Sequence, residues 1–231
     1  MSQIIRDKAI DLMRCQRYAE AISLFSELIN DDPNDWSLHY MIGQCYRFTE
    51  QLPNAVNALT KATKLNEKEP QSFLALGIAL QLSEKYEQAI EKLKIALTID
   101  PNLITAYNSI GLTYKKLNNY QKAIDWYTKA ADRLMNTIHN QLVVNRDKCY
   151  KEEIAPDGGK VLVVLPYLME ETYKLLQMNP TYSIIKNNIG VCCIELGQKE
   201  LAKEHFKESI EFTPEGYKYA GPIINLKKLT D

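Results

Sequence analysis

The sequence predicts an all-α solenoid of antiparallel helix pairs, and three observations lead there. Within residues 100–130, DPNLITAYNSIGLTYKKLNNYQKAIDWYTKA, apolar and small side chains fall three or four apart in two runs, which is the period of a helix face. A polar turn, Leu117-Asn118-Asn119-Tyr120, separates the runs, so the second helix folds back on the first. The same phase returns along the chain, with Gly43, Gly77 and Gly111 evenly spaced. Self-similarity at a fixed period of roughly 20–50 residues marks a repeat architecture.

Each landmark has a packing reason. A glycine inside a helix costs about 1 kcal/mol against alanine. It is expected only where a second helix must approach closely. Gly190 joins the three glycines as a fourth copy, and Ala55, Ala89, Ala123 and Ala202 each follow their glycine at one fixed offset. Leu59, Leu93, Tyr127 and Phe206 come one helical turn later, then Ala62, Ala96, Ala130 and, in the last copy, Ser209. Pro33, Pro101 and Pro180 precede a glycine at a second fixed offset, with Glu67 standing in once. At the start of the chain, Ala9, Leu12, Ala21, Phe25 and Pro33 fit the same frame, with alanine in place of glycine.

Taken in order, the frame predicts regular repeats over 2–35, 36–69, 70–103 and 104–137. The first has helices over 4–14 and 18–30, and Pro53 opens the second helix of the next, where a missing N–H costs nothing. The phase then breaks, because Gly190 does not fall a whole number of periods after Gly111. Residues 138–182 read as an enlarged, degenerate repeat. Its first helix is expected around 134–153 and its second from 161 or 166 to 178. A turn-rich loop over 155–160 joins them. The segment reads equally as a docking element or as drift in a spacer. A regular repeat returns over 183–216. Residues 217–231 are expected to cap the stack with Ile223, Ile224, Leu226 and Leu229 on a short helix, since the exposed end of a solenoid needs a cover. The whole, 1–231, reads as one solenoid.

The order Tyr107, Ile110-Gly111, Tyr114, Ala123, Tyr127 and the recurring proline resembles the tetratricopeptide repeat. That family's pattern is W-x2-L-G-x2-Y, A-x3-F and P, with a period of about 34 residues. Trp36 and His39 depart from it, with histidine at the usual aromatic position. The resemblance implies a right-handed superhelix with a C-terminal capping helix, whose concave face is lined by the first helix of each pair. It further implies a non-catalytic scaffold that binds a partner peptide or helix in that groove. The alternative is a structural subunit held in a larger assembly by its convex face and ends.

Composition excludes other classes. Apolar content of 45% and charged content of 25% are those of an ordinary globular protein. A net charge of −1 gives no bulk attraction to nucleic acid or anionic lipid. The helical pattern begins at once after Met1, which leaves no room for a signal peptide. The longest apolar run, 161–169, contains Pro166 and is too short to span a bilayer. Five cysteines, Cys15, Cys45, Cys149, Cys192 and Cys193, form no CxxC. They suggest neither a zinc site nor a disulfide framework, and a cytoplasmic location is expected. Gly158-Gly159-Lys160 lacks the upstream glycine and strand of a phosphate loop. His39, His139 and His205 are scattered. No catalytic residue, metal site or cofactor is expected.

By resemblance, the groove is expected to present Arg6 and Arg14 from the first repeat and Tyr40, Gln44, Arg47 and Phe48 from the second. Leu74, Ile78 and Leu82 follow from the third, and Asn108, Leu112, Lys115 and Lys116 from the fourth. Over all groove positions, Arg6, Arg14, Arg47, Lys115 and Lys116 are basic and Glu195 alone is acidic. The expected partner is a protein or peptide with acidic and apolar residues, without nucleic acid or membrane insertion. Two groove chemistries known in the family are not matched. The chaperone-binding carboxylate clamp lacks its set of lysine, asparagine and arginine. An asparagine ladder is interrupted by Met41, Ala75 and Ser109.

Overall fold

Residues 2–144, 150–154, 160–164 and 166–230 are described by the computed structural model. The chain divides into two compact units, Met1–Thr113 and Tyr114–Asp231.

The first unit contains α1 (Ser2–Arg14), α2 (Tyr18–Asp31), α3 (Trp36–Phe48), α4 (Leu52–Leu65), α5 (Pro70–Leu82) and α6 (Tyr86–Ile99), with α7 (Ile104–Lys116) leading into the second. Helices pair as α1/α2, α3/α4 and α5/α6, and each pair stacks on the next through α2/α3 and α4/α5. Ala9, Leu12, Ala21, Phe25, Leu28, Leu38, Ile42 and Cys45 form one core cluster. Ala55, Leu59, Ala75, Leu76, Ala79, Leu80 and Ala89 form the next. Burial in each cluster is shared only between adjacent pairs, as a solenoid requires.

The helical glycines sit where the frame puts them, and the contact is with a side chain. A Cβ on Gly43 would lie 2.6 Å from Leu59 Cγ, and one on Gly77 would lie 2.6 Å from Leu93 Cγ. The leucine one turn after each recurring alanine rests directly on its glycine.

Two further periodic devices shape the turns. Gln16, Glu50, Glu84 and Asn118 all have positive φ, between 56° and 60°, and follow one another at the spacing of the repeat. Each stands just past the first helix of its pair. The next amide closes the turn, as in Gln51 N to Tyr46 O and Lys85 N to Leu80 O, both 2.9 Å. This is the Schellman arrangement, usually built on glycine. Only the last regular copy uses glycine, Gly197, with φ of 74°. After the second helices, Asp32, Asn66 and Asp100 each accept a hydrogen bond from the amide two positions on, at 3.2, 3.1 and 2.9 Å. Asp35 and Glu69 then cap α3 and α5.

The second unit contains α8 (Tyr120–Val144), β1 (Tyr150–Ile154), β2 (Lys160–Val164), α9 (Pro166–Gln177), α10 (Pro180–Glu195), α11 (Lys199–Glu211) and α12 (Gly221–Thr230). Here the structure corrects the expectation for the enlarged repeat. The helix expected over 134–153 is the far end of α8, which runs unbroken from Tyr120 to Val144 because Tyr127, Ala130, Ala131, Leu134 and Ile138 are all buried along it. Residues expected to continue that helix form β1 instead, paired antiparallel with β2 from Tyr150↔Val164 to Ile154↔Lys160. The Lys160-Val161-Leu162-Val163-Val164 sequence favours a strand through its β-branched residues. Of the expected 155–160 loop, Lys160 opens β2 and 155–159 lie outside the described residues, as does Cys149. Among the described residues, β1 and β2 are the only strands, and every other element is a helix.

The α10/α11 pair keeps the regular geometry. A Cβ on Gly190 would lie 2.5 Å from Phe206 Cε1. Ser209 stands where earlier copies have alanine, and its hydroxyl donates to Ser183 O at 2.6 Å, while Ser183 Oγ donates to Ser209 O at 2.8 Å. The expected cap is present as α12, which packs on α11 and α10. It turns Pro222, Asn225, Leu226 and Leu229 towards the protein and leaves Ile223 and Ile224 exposed.

Candidate interaction surface

On α3, residues four, three and one apart make a continuous row. Gln44 Nε2 donates to the Tyr40 hydroxyl at 3.2 Å, and Arg47 Nε donates to Gln44 Oε1 at 3.0 Å. The Arg47 guanidinium carbon lies 4.2 Å from the centroid of the Phe48 ring. Phe48 stacks on Tyr18 of α2, with centroids 4.8 Å apart and planes 11° from parallel. Burial lowers the Arg47 pKa from its ordinary value, opposed by the nearby Tyr40 and Tyr18. Among the described residues, this half-buried guanidinium spends its hydrogen bond on a neutral amide. A desolvated cation without a carboxylate is unfavourable unless something supplies the charge. Phe48 is 49% exposed despite its stack.

The other expected residues fall into distinct environments. Arg6 forms an ion pair with Asp35 and donates to Ser37 Oγ at 3.0 Å. Asp35 in turn accepts from Ser37 N at 2.8 Å as the cap of α3. Burial alone would raise the Asp35 pKa, but bonds from Ser37 and Arg6 outweigh it and hold the carboxyl below its ordinary value. Arg6 is therefore engaged in joining α1 to the start of α3. Arg14 is exposed and contacts Asp11 at 3.1 Å.

Leu74 is buried at 8% exposure and belongs to the core, whereas Ile78 is partly exposed and Leu82 is 49% exposed. Between Ile78 and Leu82, Gln81 binds α5 to α7, donating to Ser109 O at 3.0 Å and Thr113 Oγ1 at 2.6 Å. Asn108 is partly exposed, yet its Oδ1 is buried without a hydrogen-bond partner. Leu112 is partly exposed. Lys115 and Lys116, at the start of the second unit, are partly and fully exposed. The row from Tyr40 to Phe48 is thus the group brought together by direct contacts. Tyr18 was missed in the sequence. Its signal was the recurrence of tyrosine at 18, 86 and 120, the first residue of three second helices.

Among the described residues, no group of three or more histidines, cysteines or acids could hold a metal ion. His39 is buried, with Nε2 2.9 Å from Pro33 O. No described helix is long and apolar enough to cross a membrane.

Comparison with known families places repeat matches in both units. A TPR repeat model matches residues 82–118, and tetratricopeptide repeat models match 104–133 and 185–215. The model of anaphase-promoting complex, cyclosome, subunit 3 matches 14–96. No curated protein sequence matches the chain. Among solved structures, it is similar to MamA from Desulfovibrio magneticus RS-1, with a TM-score of 0.65, 18% identity and coverage of 91% of this chain and 94% of the other. YrrB, described as a TPR protein with an unusual peptide-binding site, gives a TM-score of 0.62 at 15% identity, covering 95% and 88%. A thermophilic TPR protein in Thermus thermophilus gives 0.59 at 14% identity, covering 100% and 99%. These likenesses concern the fold.

Proposed function

Because the chain belongs to the tetratricopeptide-repeat family, whose fold serves as a protein-interaction scaffold, we propose that it is a non-catalytic cytoplasmic adaptor. Its ligand is an acid-bearing apolar peptide held on the face made by the first helices of the pairs. The observation that carries this reading is the Tyr40–Gln44–Arg47–Phe48 row. It combines a half-buried cation bonded to a neutral amide with an aromatic surface half open to solvent. A carboxylate from a peptide would complete Arg47, and an adjacent apolar side chain would cover Phe48. Leu82, on α5 of the same unit, is a second half-exposed apolar side chain. The apolar anchors supply most of the affinity, at roughly 25 cal/mol per Å² before ordering costs. The charge mainly steers encounter and selects sign. The likeness to YrrB, a protein described by its peptide-binding site, supports the reading at the level of the fold.

The test is affinity capture with cross-linking mass spectrometry. The captured peptide is then titrated against wild type, Arg47→Glu and Leu82→Asp at low and high salt. Arg47→Glu is expected to weaken binding about tenfold or more and to remove most of its salt dependence. If both variants bind as wild type does, the ligand is not on this face.

A further inference from the structure

Arg47 differs from the other arginines of the first unit in what stands beside it. Arg6 pairs with Asp35, Arg14 with Asp11 and Arg17 with Glu20. The last two pairs lie three positions apart on the chain. Arg47 also has its partner three positions away, but that partner is Gln44, the neutral isostere of glutamate. Arg17 shows the alternative arrangement. Its carboxylate partner takes the guanidinium side-on, Nε donating to Glu20 Oε1 at 2.6 Å and Nη2 to Oε2 at 2.5 Å.

The contacts around Arg47 close that side-on approach. A guanidinium is all donor and has no acceptor. Its Nε–H therefore decides which end of the Gln44 amide faces it. Oε1 accepts from Arg47 at 3.0 Å, and Nε2 is turned to the Tyr40 hydroxyl at 3.2 Å. The Phe48 ring covers one face of the guanidinium, with Cζ 4.2 Å from its centroid, and Tyr18 stacks on that ring. Stacking and an engaged Nε together fix the plane of the group. Among the described residues, neither Nη1 nor Nη2 makes a hydrogen bond or ion pair.

Given the peptide face assigned to α3, we propose that Gln44 is the positioning residue that makes this site selective for acids. It occupies Nε with a neutral acceptor, so Arg47 is held in place and keeps its charge uncompensated. An incoming Asp or Glu side chain then meets Nη1 and Nη2 end-on, as a bidentate pair. A carboxylate at position 44 would hold Arg47 equally well but would discharge it, as Glu20 and Asp11 discharge Arg17 and Arg14. An amide ligand of the same shape offers Nη1 and Nη2 only one oxygen and no charge. Tyr40 completes the arrangement by accepting from Gln44 Nε2, which leaves no donor of that amide unmatched on the Arg47 side.

The test is a nuclear magnetic resonance titration of the full chain, following the Arg47 Nε–H signal, which is assigned by its loss in Arg47→Ala. The probes are 3-phenylpropionate, a carboxylate with an apolar ring, and 3-phenylpropionamide, its neutral isostere. Wild type is expected to bind the acid saturably and about tenfold or more tightly than the amide. Gln44→Glu is expected to abolish that preference by weakening the acid alone, with the amide bound as before. Gln44→Ala keeps the Arg47 charge and should retain most of the preference. A merely structural role for Gln44 would weaken both probes together, and matching melting curves confirm that each variant is folded. Retention of the preference in Gln44→Glu, or its equal loss in Gln44→Ala, overturns the proposal while leaving the peptide face intact. If wild type takes no acid at Arg47, or Arg47→Ala takes it as well as wild type does, the peptide face falls too.

Discussion

Leu93 rests on Gly77, so that a methyl added to the glycine would stand 2.6 Å from Leu93 Cγ and 3.3 Å from Ala89 O. Such distances cannot be relieved by the leucine alone, because the backbone carbonyl closes the second side. Gly77→Val is expected to push α5 from α6 and to cost roughly 1–3 kcal/mol as overpacking. The loss should spread to the pairs on either side, since each is stabilised by its neighbours. Urea melts with local probes in the first unit measure both. An unchanged midpoint would refute the close contact.

Glu84 has a φ of 60°, in the left-handed region that costs a residue with a Cβ roughly 1–2 kcal/mol. Glycine adopts it without that cost but loses more chain entropy on folding. Glu84→Gly is therefore expected to stabilise the protein by about 0.5–1 kcal/mol, with Glu50→Gly behaving alike. Glu84→Val should destabilise it. Equal or lower stability in Glu84→Gly, measured by thermal melting, would show that the Glu84 side chain contributes more than its strained backbone costs.

What the sequence could reveal depended on whether a residue type was tied to a position. Gly43, Gly77 and Gly190 were legible because only glycine fits beneath Leu59, Leu93 and Phe206. The left-handed turns at Gln16, Glu50, Glu84 and Asn118 were not, because ordinary residues of several types occupy one conformation. The surrounding packing dictates it. Leu74 read as a face residue by its place in the frame, yet α5 is apolar on nearly every side, with Ser72 through Gly77 all buried. A helix covered all round gives no period to read. The hairpin was hidden because Val161–Val164 can belong to a short strand or a buried helix, and a run of that length does not discriminate. The stack of Tyr18 on Phe48 joins two helices, which a frame drawn along one helix does not show.

Arg6 illustrates a residue whose expected role and observed contacts differ. Its ion pair ends on Asp35, which also caps α3 through Ser37 N. Asp35→Ala removes both functions and is expected to cost about 1–2 kcal/mol, the range for a lost cap. Arg6→Ala removes only the partly exposed pair, and about 0.5–1 kcal/mol is expected. In a peptide-binding assay, Arg6→Ala should change affinity far less than Arg47→Glu. If it weakens binding as much, Arg6 must leave Asp35 to meet the ligand.

Glu208 gives the second unit a dependence on acid. Its Oε1 accepts from the Tyr182 hydroxyl and pairs with Lys186 Nζ, both at 2.9 Å, and Oε2 lies 3.8 Å from His205 Nδ1. Burial would raise the carboxyl, but His205, Lys186 and Tyr182 outweigh it and hold the pKa at about 2, against an ordinary 4.5. His205 Nδ1 stands beyond hydrogen-bond distance, so the short contacts with Lys186 and Tyr182 carry most of the effect. A carboxyl depressed on folding stabilises the protein at pH values above its unfolded pKa. That contribution is lost as pH falls through the folded value. The window is therefore pH 4.5 down to about 2. Part of the side chain remains in water, so the contribution is on the order of 2 kcal/mol after screening. Glu208→Gln is expected to lower stability by that amount at pH 7, by much less at pH near 2, and to flatten the profile between. Urea midpoints of wild type and variant across that range decide it. A constant difference at every pH would assign the loss to the changed hydrogen bonds, and the carboxylate charge would then have no part in clasping α10 to α11.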